Sequence, residues 1–142
     1  MRTHSPAGGW AGSNAILSEL GTLQLEFRLL TKHSGNKKYE EAAMKALKVM
    51  STKSPPHGLF PIKVNINDGS FSDSQVTFGA LGDSFYEYLL KVWLQGGRKE
   101  AWLRDMYDKA MNGVMDVLLQ RSTPSGLAFL ADWNGHSVSA HT

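Results

Sequence analysis

Apolar residues recur at helical spacing through most of the chain and at period two in one stretch. Ile16, Leu20, Leu23, Phe27 and Leu30 follow one another at steps of 4, 3, 4 and 3, which is one apolar face of a helix. Ser13 or Asn14 is suited to cap its start, and Ser34-Gly35-Asn36 to end it, because Gly and Asn tolerate the left-handed cap conformation. A second helix is predicted over 37–50. Tyr39, Ala43, Leu47 and Met50 lie on its inner side, and Glu40, Glu41, Lys45 and Lys48 form a solvated outer face. Ser54-Pro55-Pro56 terminates it. Phe60, Ile62, Val64 and Ile66 then alternate with other residues as in a half-buried strand. Asn67-Asp68-Gly69 is a turn signal, and 74–78 would supply the returning strand. A third helix is predicted over 83–94, stopping at Gly96-Gly97. A fourth is predicted over 99–120, with Leu103, Tyr107, Ala110, Val114 and Val117 on one face. Pro124 and Gly126 break that pattern. Residues 127–130 form a candidate strand before a turn at Asn134-Gly135, and 1–13, rich in Gly, Ser and Pro, read as loop.

The two helix pairs, 14–51 and 83–120, resemble one another: each is helix, Gly-containing turn, basic residue, helix, with Gly35 and Gly97 in equivalent places. Such recurrence predicts stacked αα-hairpins, here with a β-hairpin (58–79) between them, in a mainly α fold. Hairpins of this kind bury their apolar faces against neighbours, and two of them make an incomplete core. The expectation is a piece of a larger helical assembly.

Composition narrows the class. The chain has 142 residues, 42% hydrophobic and 20% charged, as in ordinary globular domains. Its formal net charge is +2 and its basic residues are scattered apart from Lys37-Lys38, so a nucleic-acid partner is not indicated. No run of about eighteen apolar residues is present, so no membrane contact is expected from this segment. Cysteine is absent, which excludes disulfides and thiolate metal sites. His4, His33, His57, His136 and His141 show no metal-ligand spacing and read as surface or loop residues. Trp93, Trp102, Tyr86 and Tyr88, at helical spacing, read as core before they read as sugar-stacking platforms.

Two places carry candidate chemistry. In the helix from residue 83, Asp83, Glu87 and Lys91 fall at i, i+4 and i+8 and form a polar stripe on an otherwise largely apolar helix. A carboxylate at the mouth of a buried helix is costly without partners, a cost often met at active sites. A structural account is also available. Ser84 and Glu87 fit a capping box, Glu87 and Lys91 a helical ion pair, and Asp83 favours the positive end of the helix dipole. On spacing alone, structure is the better account. Glu19, with Thr22 and Glu26 at i+3 and i+7, lines one side of the first helix, where a solvent-facing stripe is the better account from spacing alone, because Glu is seldom buried unless paired. If the hairpins pack in parallel, Glu19 and Asp83 open onto the same end of the assembly and share one hollow.

Three blocks resemble class I α-1,2-mannosidases, glycoside hydrolase family 47. They are Ala15 to Phe27 (AILSELGTLQLEF), Gly58-Leu59-Phe60-Pro61 with the hairpin after it, and Phe78 to Lys91 (FGALGDSFYEYLLK). The resemblance runs from about Trp10 to Ser139. It implies an (α/α)7 barrel of consecutive helical hairpins, and inverting, calcium-dependent hydrolysis of terminal α-1,2-linked mannose from high-mannose N-glycans. By that resemblance Asp83 is one of the essential catalytic acids and Glu19 lines the sugar site, with Leu81 and Glu87 also on the substrate side. Endoplasmic-reticulum-type members carry Arg two positions before the key Asp. Leu81 offers none of that group's five donors and so implies a roomier, Golgi-like specificity. The family also implies a luminal enzyme of the Golgi or endoplasmic reticulum, its full-length form a type II membrane protein.

Departures from the family pattern bear on activity. The family's earlier essential Glu, its later Pro-Glu-Thr block and the Thr that ligates its calcium do not occur here, so no metal ligand is assigned within this chain. The segment is expected to be a partial catalytic domain, inactive alone. A non-catalytic glycan-binding module, as in degradation-enhancing relatives, and a plain helical-repeat scaffold are the alternatives.

Overall fold

The computed structural model describes residues 13–139; the start of the predicted N-terminal loop, His4 and His141 lie outside them. In order these residues form β1 (Asn14–Ile16), α1 (Leu17–Gly21), α2 (Gln24–Ser34), α3 (Lys38–Ser51), a 3₁₀ turn (Pro56–Gly58), β2 (Lys63–Asn65) and α4 (Asp83–Gln95). Then follow α5 (Ala101–Gly113), a π-helical turn (Val114–Leu118), β3 (Leu119–Arg121), β4 (Ala128–Leu130), β5 (Asp132–Trp133) and β6 (Val138–Ser139). The architecture is mainly helical, as predicted: α2 packs on α3, α4 on α5, and α1 lies against α4. The predicted turns hold, with Gly35 and Gly97 both left-handed at φ 70° and 68°, where the lack of a Cβ removes the steric cost.

The first predicted helix is corrected in two ways. Asn14, expected to cap it, and Ala15 and Ile16 form a strand instead, antiparallel to β2 in the register Asn14↔Asn65, Ala15↔Val64 and Ile16↔Lys63. The helix itself breaks at Thr22-Leu23. Thr22 Oγ1 donates to the Ser18 carbonyl at 2.7 Å. The Gln24 side chain substitutes for helical bonds, its oxygen accepting from Leu23 N–H at 3.0 Å. Its amide donates to the Leu20 carbonyl and, across to α3, the Ala43 carbonyl, both at 3.1 Å. Gln24 is fully buried, and these bonds meet the cost of burying its amide.

The break also changes which face is inside. Leu17, Gly21 and Gln24 are buried and Arg28 nearly so, while Leu23 and Leu30 of the predicted apolar face are 49% and 43% exposed. The α3 prediction holds for Ala43, Leu47 and Met50, joined by Met44.

The predicted β-hairpin is replaced by a looser arrangement. Phe60, Ile62 and Val64 are buried but Ile66 is exposed, and the ladder partner of β2 is β1. The chain does turn at Asn67-Asp68-Gly69, where Gly69 N–H bonds the Asn65 carbonyl at 2.8 Å. The return pairs with β2 at Val64↔Phe71, where Asn65 N–H bonds the Ser70 carbonyl at 2.8 Å and Ser72 N–H the Lys63 carbonyl at 3.0 Å, and just before β2 Ile62 N–H bonds the Gln75 carbonyl at 2.9 Å. Val76 instead bridges Trp133. The fourth helix is shorter than predicted: after Gly113 it widens into the π turn, and residues 119–121 become β3, paired with β4. The strand expected at 127–130 is β4.

The main core joins Leu17, Met44, Leu47, Phe60, Phe85, Tyr86, Leu89, Val92 and Leu103, with a smaller cluster of Leu59, Val76, Val114 and Leu118. No helix of the described residues is long and apolar enough to cross a membrane.

Candidate active site

Asp83 is the first residue of α4, following Gly82. Its Oδ1 accepts from Ser84 N–H at 2.8 Å. The capping box anticipated for Ser84 and Glu87 is therefore absent, because the helix is capped two residues earlier, at Gly82, and leaves Ser84 inside its first turn. The anticipated Glu87–Lys91 ion pair forms. It raises the Lys91 ammonium above its ordinary value, chiefly through the hydrogen bond that Lys91 donates to Glu87. Lys91 also lies over the Tyr88 ring, 5.8 Å from its centroid, and Tyr88 Oη donates to Glu26 Oε1 of α2 at 2.9 Å. That bond raises the Tyr88 phenol above its usual value.

The polar stripe thus has a split fate. Glu87 and Lys91 are paired to each other. Asp83 is exposed, and among the described residues its carboxylate bonds only its chain neighbour Ser84. It shares with Glu87 and Lys91 a hollow of about 350 Å³ floored by Phe78, Tyr86, Leu90, Tyr107 and Met111. Tyr86 beneath it is buried, stacked on Phe78 at 4.3 Å. Its hydroxyl accepts from Phe60 N–H at 2.8 Å, and burial pushes its phenol well up.

Glu19, exposed in α1, has no hydrogen-bond or ion-pair partner among the described residues. It lines a separate hollow of about 260 Å³ with Leu20, Leu23, Gln24, Ala42, Ala43 and Ala46. The break at residue 22 divides the expected Glu19–Thr22–Glu26 stripe: Thr22 turns onto its own backbone, and Glu26 joins Tyr88.

The starts of α1 and α4 are hydrogen-bonded neighbours. Ser18 N–H donates to the Leu81 carbonyl at 3.0 Å, so the residue before Glu19 is bonded to the residue two before Asp83. Leu81 sits at φ 80°, a conformation non-glycine residues seldom adopt. The single hollow expected to be shared by Glu19 and Asp83 is not formed: Glu19 lines one with α3 residues and Asp83 another with α4 and α5 residues. Among the described residues no three His, Asp or Glu side chains gather as a metal donor set; the residues present do not by themselves fit a calcium ion. His33, His57 and His136 are exposed, with His57 edge-on to Trp133.

Sequence reasoning missed Gln24 and Arg28, both polar and both nearly closed off from solvent. Arg28 Nη1 donates to the Val92 carbonyl at 3.0 Å, and its Nη2 reaches both Glu100 oxygens at 2.7 Å. Nε stands 3.1 Å from Glu40 Oε1, an ion-pair contact outside hydrogen-bond geometry. The available signal was their spacing: Leu17, Gly21, Gln24 and Arg28 follow a helical period one residue out of step with the apolar one.

Comparison with known proteins agrees with this architecture. The glycosyl hydrolase family 47 profile matches residues 1–142. A mannosyl-oligosaccharide 1,2-alpha-mannosidase of Arabidopsis thaliana is 42% identical over 138 residues, 95% of this chain and 24% of its own length. A mannosyl-oligosaccharide alpha-1,2-mannosidase IA of Spodoptera frugiperda is 45% identical over 87% of this chain and 18% of its own. The endoplasmic reticulum mannosyl-oligosaccharide 1,2-alpha-mannosidase of Mus musculus is 42% identical over 91% and 20%. The solved alpha-1,2-mannosidase from Trichoderma reesei superposes with a TM-score of 0.82 at 32% identity, over 90% of this chain and 27% of that one. The chain belongs to glycosyl hydrolase family 47, and it spans about a quarter or less of the length of these curated relatives.

Proposed function

We propose that this chain is part of a family 47 catalytic domain, and that the polypeptide containing it removes terminal α-1,2-linked mannose from high-mannose N-glycans. The observation that carries the reading is the match of the whole chain to the family, joined to the adjacency of the two acid-bearing helix starts. Inverting hydrolysis needs two carboxyl groups about 6.5–9.5 Å apart, a separation that leaves room for a water between the basic one and the sugar. One protonates the departing glycosidic oxygen, and the other takes a proton from the water that attacks the anomeric carbon. Asp83 is proposed as one of the acids in this chemistry, with Glu19, Leu81 and Glu87 on the substrate side.

Several apolar residues support the partial-domain reading: Leu23, Leu29, Leu30 and Leu94 are 43–51% exposed, as expected of hairpins whose neighbours in a helical barrel complete the core. The (α/α)7 barrel is proposed for the longer polypeptide. Its calcium would be held by residues outside this segment. A site in the secretory pathway follows from the endoplasmic reticulum relatives, and the Golgi-like preference rests on Leu81.

The test is to express the longer polypeptide and digest a high-mannose glycan with it. Mannose release is expected, and Asp83→Asn should lower the rate at least about 100-fold with an unchanged melting temperature. Full activity in that variant would remove Asp83 from the chemistry. Glycan binding without turnover by the unmodified polypeptide would favour a lectin-like role instead.

A further inference from the structure

Two close contacts fasten α1 to the segment entering α4. The first is the bond from Ser18 N–H to the Leu81 carbonyl. The second lies one turn deeper, where Gly21 meets the Phe85 ring so closely that a Cβ on residue 21 would stand 2.3 Å from Phe85 Cδ2. On one side the order is Ser18, Glu19, Gly21; on the other it is Leu81, Asp83, Phe85. Each acid lies between two fastened positions of its own segment.

We propose that this double pin is a positioning device, setting the separation and relative rotation of Glu19 and Asp83. The proposal rests on the mannosidase reading above. One contact would leave α1 free to swivel about it; two contacts a helical turn apart remove that freedom. The neighbouring loop explains why Leu81 keeps a rare conformation. Thr77 Oγ1 accepts from Gly79 N–H at 2.8 Å, and the Gly79 carbonyl accepts from Asp83 N–H at 3.1 Å. Gly82 lies so close to Thr77 that a Cβ there would stand 2.3 Å from its carbonyl oxygen. Leu81 is thus fixed from both sides with its carbonyl turned to α1. Such outliers persist only where the surroundings over-determine them, and here the outlier is what joins the two acid-bearing helix starts. Neither pin uses the Ser18 hydroxyl, so the position tolerates side-chain change but needs its N–H.

The experiment uses the longer polypeptide and separates backbone from side chain. Ser18→Ala keeps the donor and should keep kcat and the pH profile. An ester in place of the peptide bond between Leu17 and residue 18 deletes the N–H alone. Gly21→Ala presses on Phe85. Both should lower kcat about 10-fold to 100-fold, as small misplacements of reacting groups do, with KM much less affected and the limbs of the pH profile displaced. Adding Phe85→Leu to Gly21→Ala should restore space and recover kcat. If the ester and Gly21→Ala reduce only the folded fraction, with kcat per folded molecule and the pH profile intact, the pins are merely structural and the proposal is overturned. An unmodified polypeptide that releases no mannose would instead overturn the mannosidase reading.

Discussion

The end of the molecule that carries Glu19 and Asp83 and the interior that holds Arg28 are built on opposite principles. At the acid-bearing end the elements meet through backbone and glycine, at Ser18–Leu81 and Gly21–Phe85, and the two carboxylates gain no cation among the described residues. Around Arg28 the joint between α2, α3 and the start of α5 is made by charge: one guanidinium bonds the Val92 carbonyl, meets both oxygens of Glu100 and approaches Glu40. The difference teaches where this fold keeps its charge neutral. The Arg28 joint satisfies its ions with one another and so contributes to stability and register. The acid-bearing end leaves its ions unmatched and holds the surrounding backbone instead. That arrangement suits the role proposed for Asp83, because a carboxylate engaged by a fixed cation is a poor proton carrier.

This contrast can be broken by mutation. Arg28→Ala should have the largest effect on stability. It strands Glu100 beside a buried carbonyl, and loss of one partner from a largely buried ion pair costs about 3 kcal/mol, read as a lower midpoint in denaturant unfolding. Gly21→Ala should come next, at about 2 kcal/mol, the range for overpacking a tight contact. Glu19→Gln should change stability by less than about 0.5 kcal/mol, as surface replacements do; a loss as large as that of Arg28→Ala would show that the acid-bearing end also leans on charge. The smallest effect belongs to the Tyr88–Glu26 bond between the two regions. Tyr88 has a raised phenol value because Glu26 accepts its hydrogen bond. The stability it adds is fully present below the ordinary phenol value of 10.0 and is lost as pH rises through the elevated one. A small deficit of Tyr88→Phe relative to the unmodified chain should therefore be seen at neutral pH and vanish in strong alkali, as measured by thermal melts across pH.

Periodicity located α3, α4 and the hairpin turns because their buried residues are the apolar ones: Ala43, Leu47, Met50, Phe85, Leu89 and Leu103 all lie inside. It failed at the first helix for the converse reason. There the inner row is Leu17, Gly21, Gln24 and Arg28, and no hydrophobicity pattern marks a glycine, an amide and a guanidinium as interior. Their burial depends on a ring, a carbonyl and two carboxylates contributed from elsewhere in the chain. The candidate acids came from the family-like blocks around Asp83 and Glu19, since spacing alone favoured a structural account of both, and the separate hollows they border were not legible.

Local sequence thus determined the helical class and the left-handed glycine turns and supplied the candidate acids, because these depend on side-chain period, on conformational freedom at single residues and on chemical type. Tertiary structure alone decided that Asn14–Ile16 becomes a strand, that the first helix breaks at Thr22, and that the starts of α1 and α4 are fastened together. Each of those outcomes rests on partners distant in the chain. The strand needs Lys63–Asn65, the Gln24 amide at the break needs the Ala43 carbonyl, and the fastening needs Leu81 held in a backbone conformation that its own side chain disfavours.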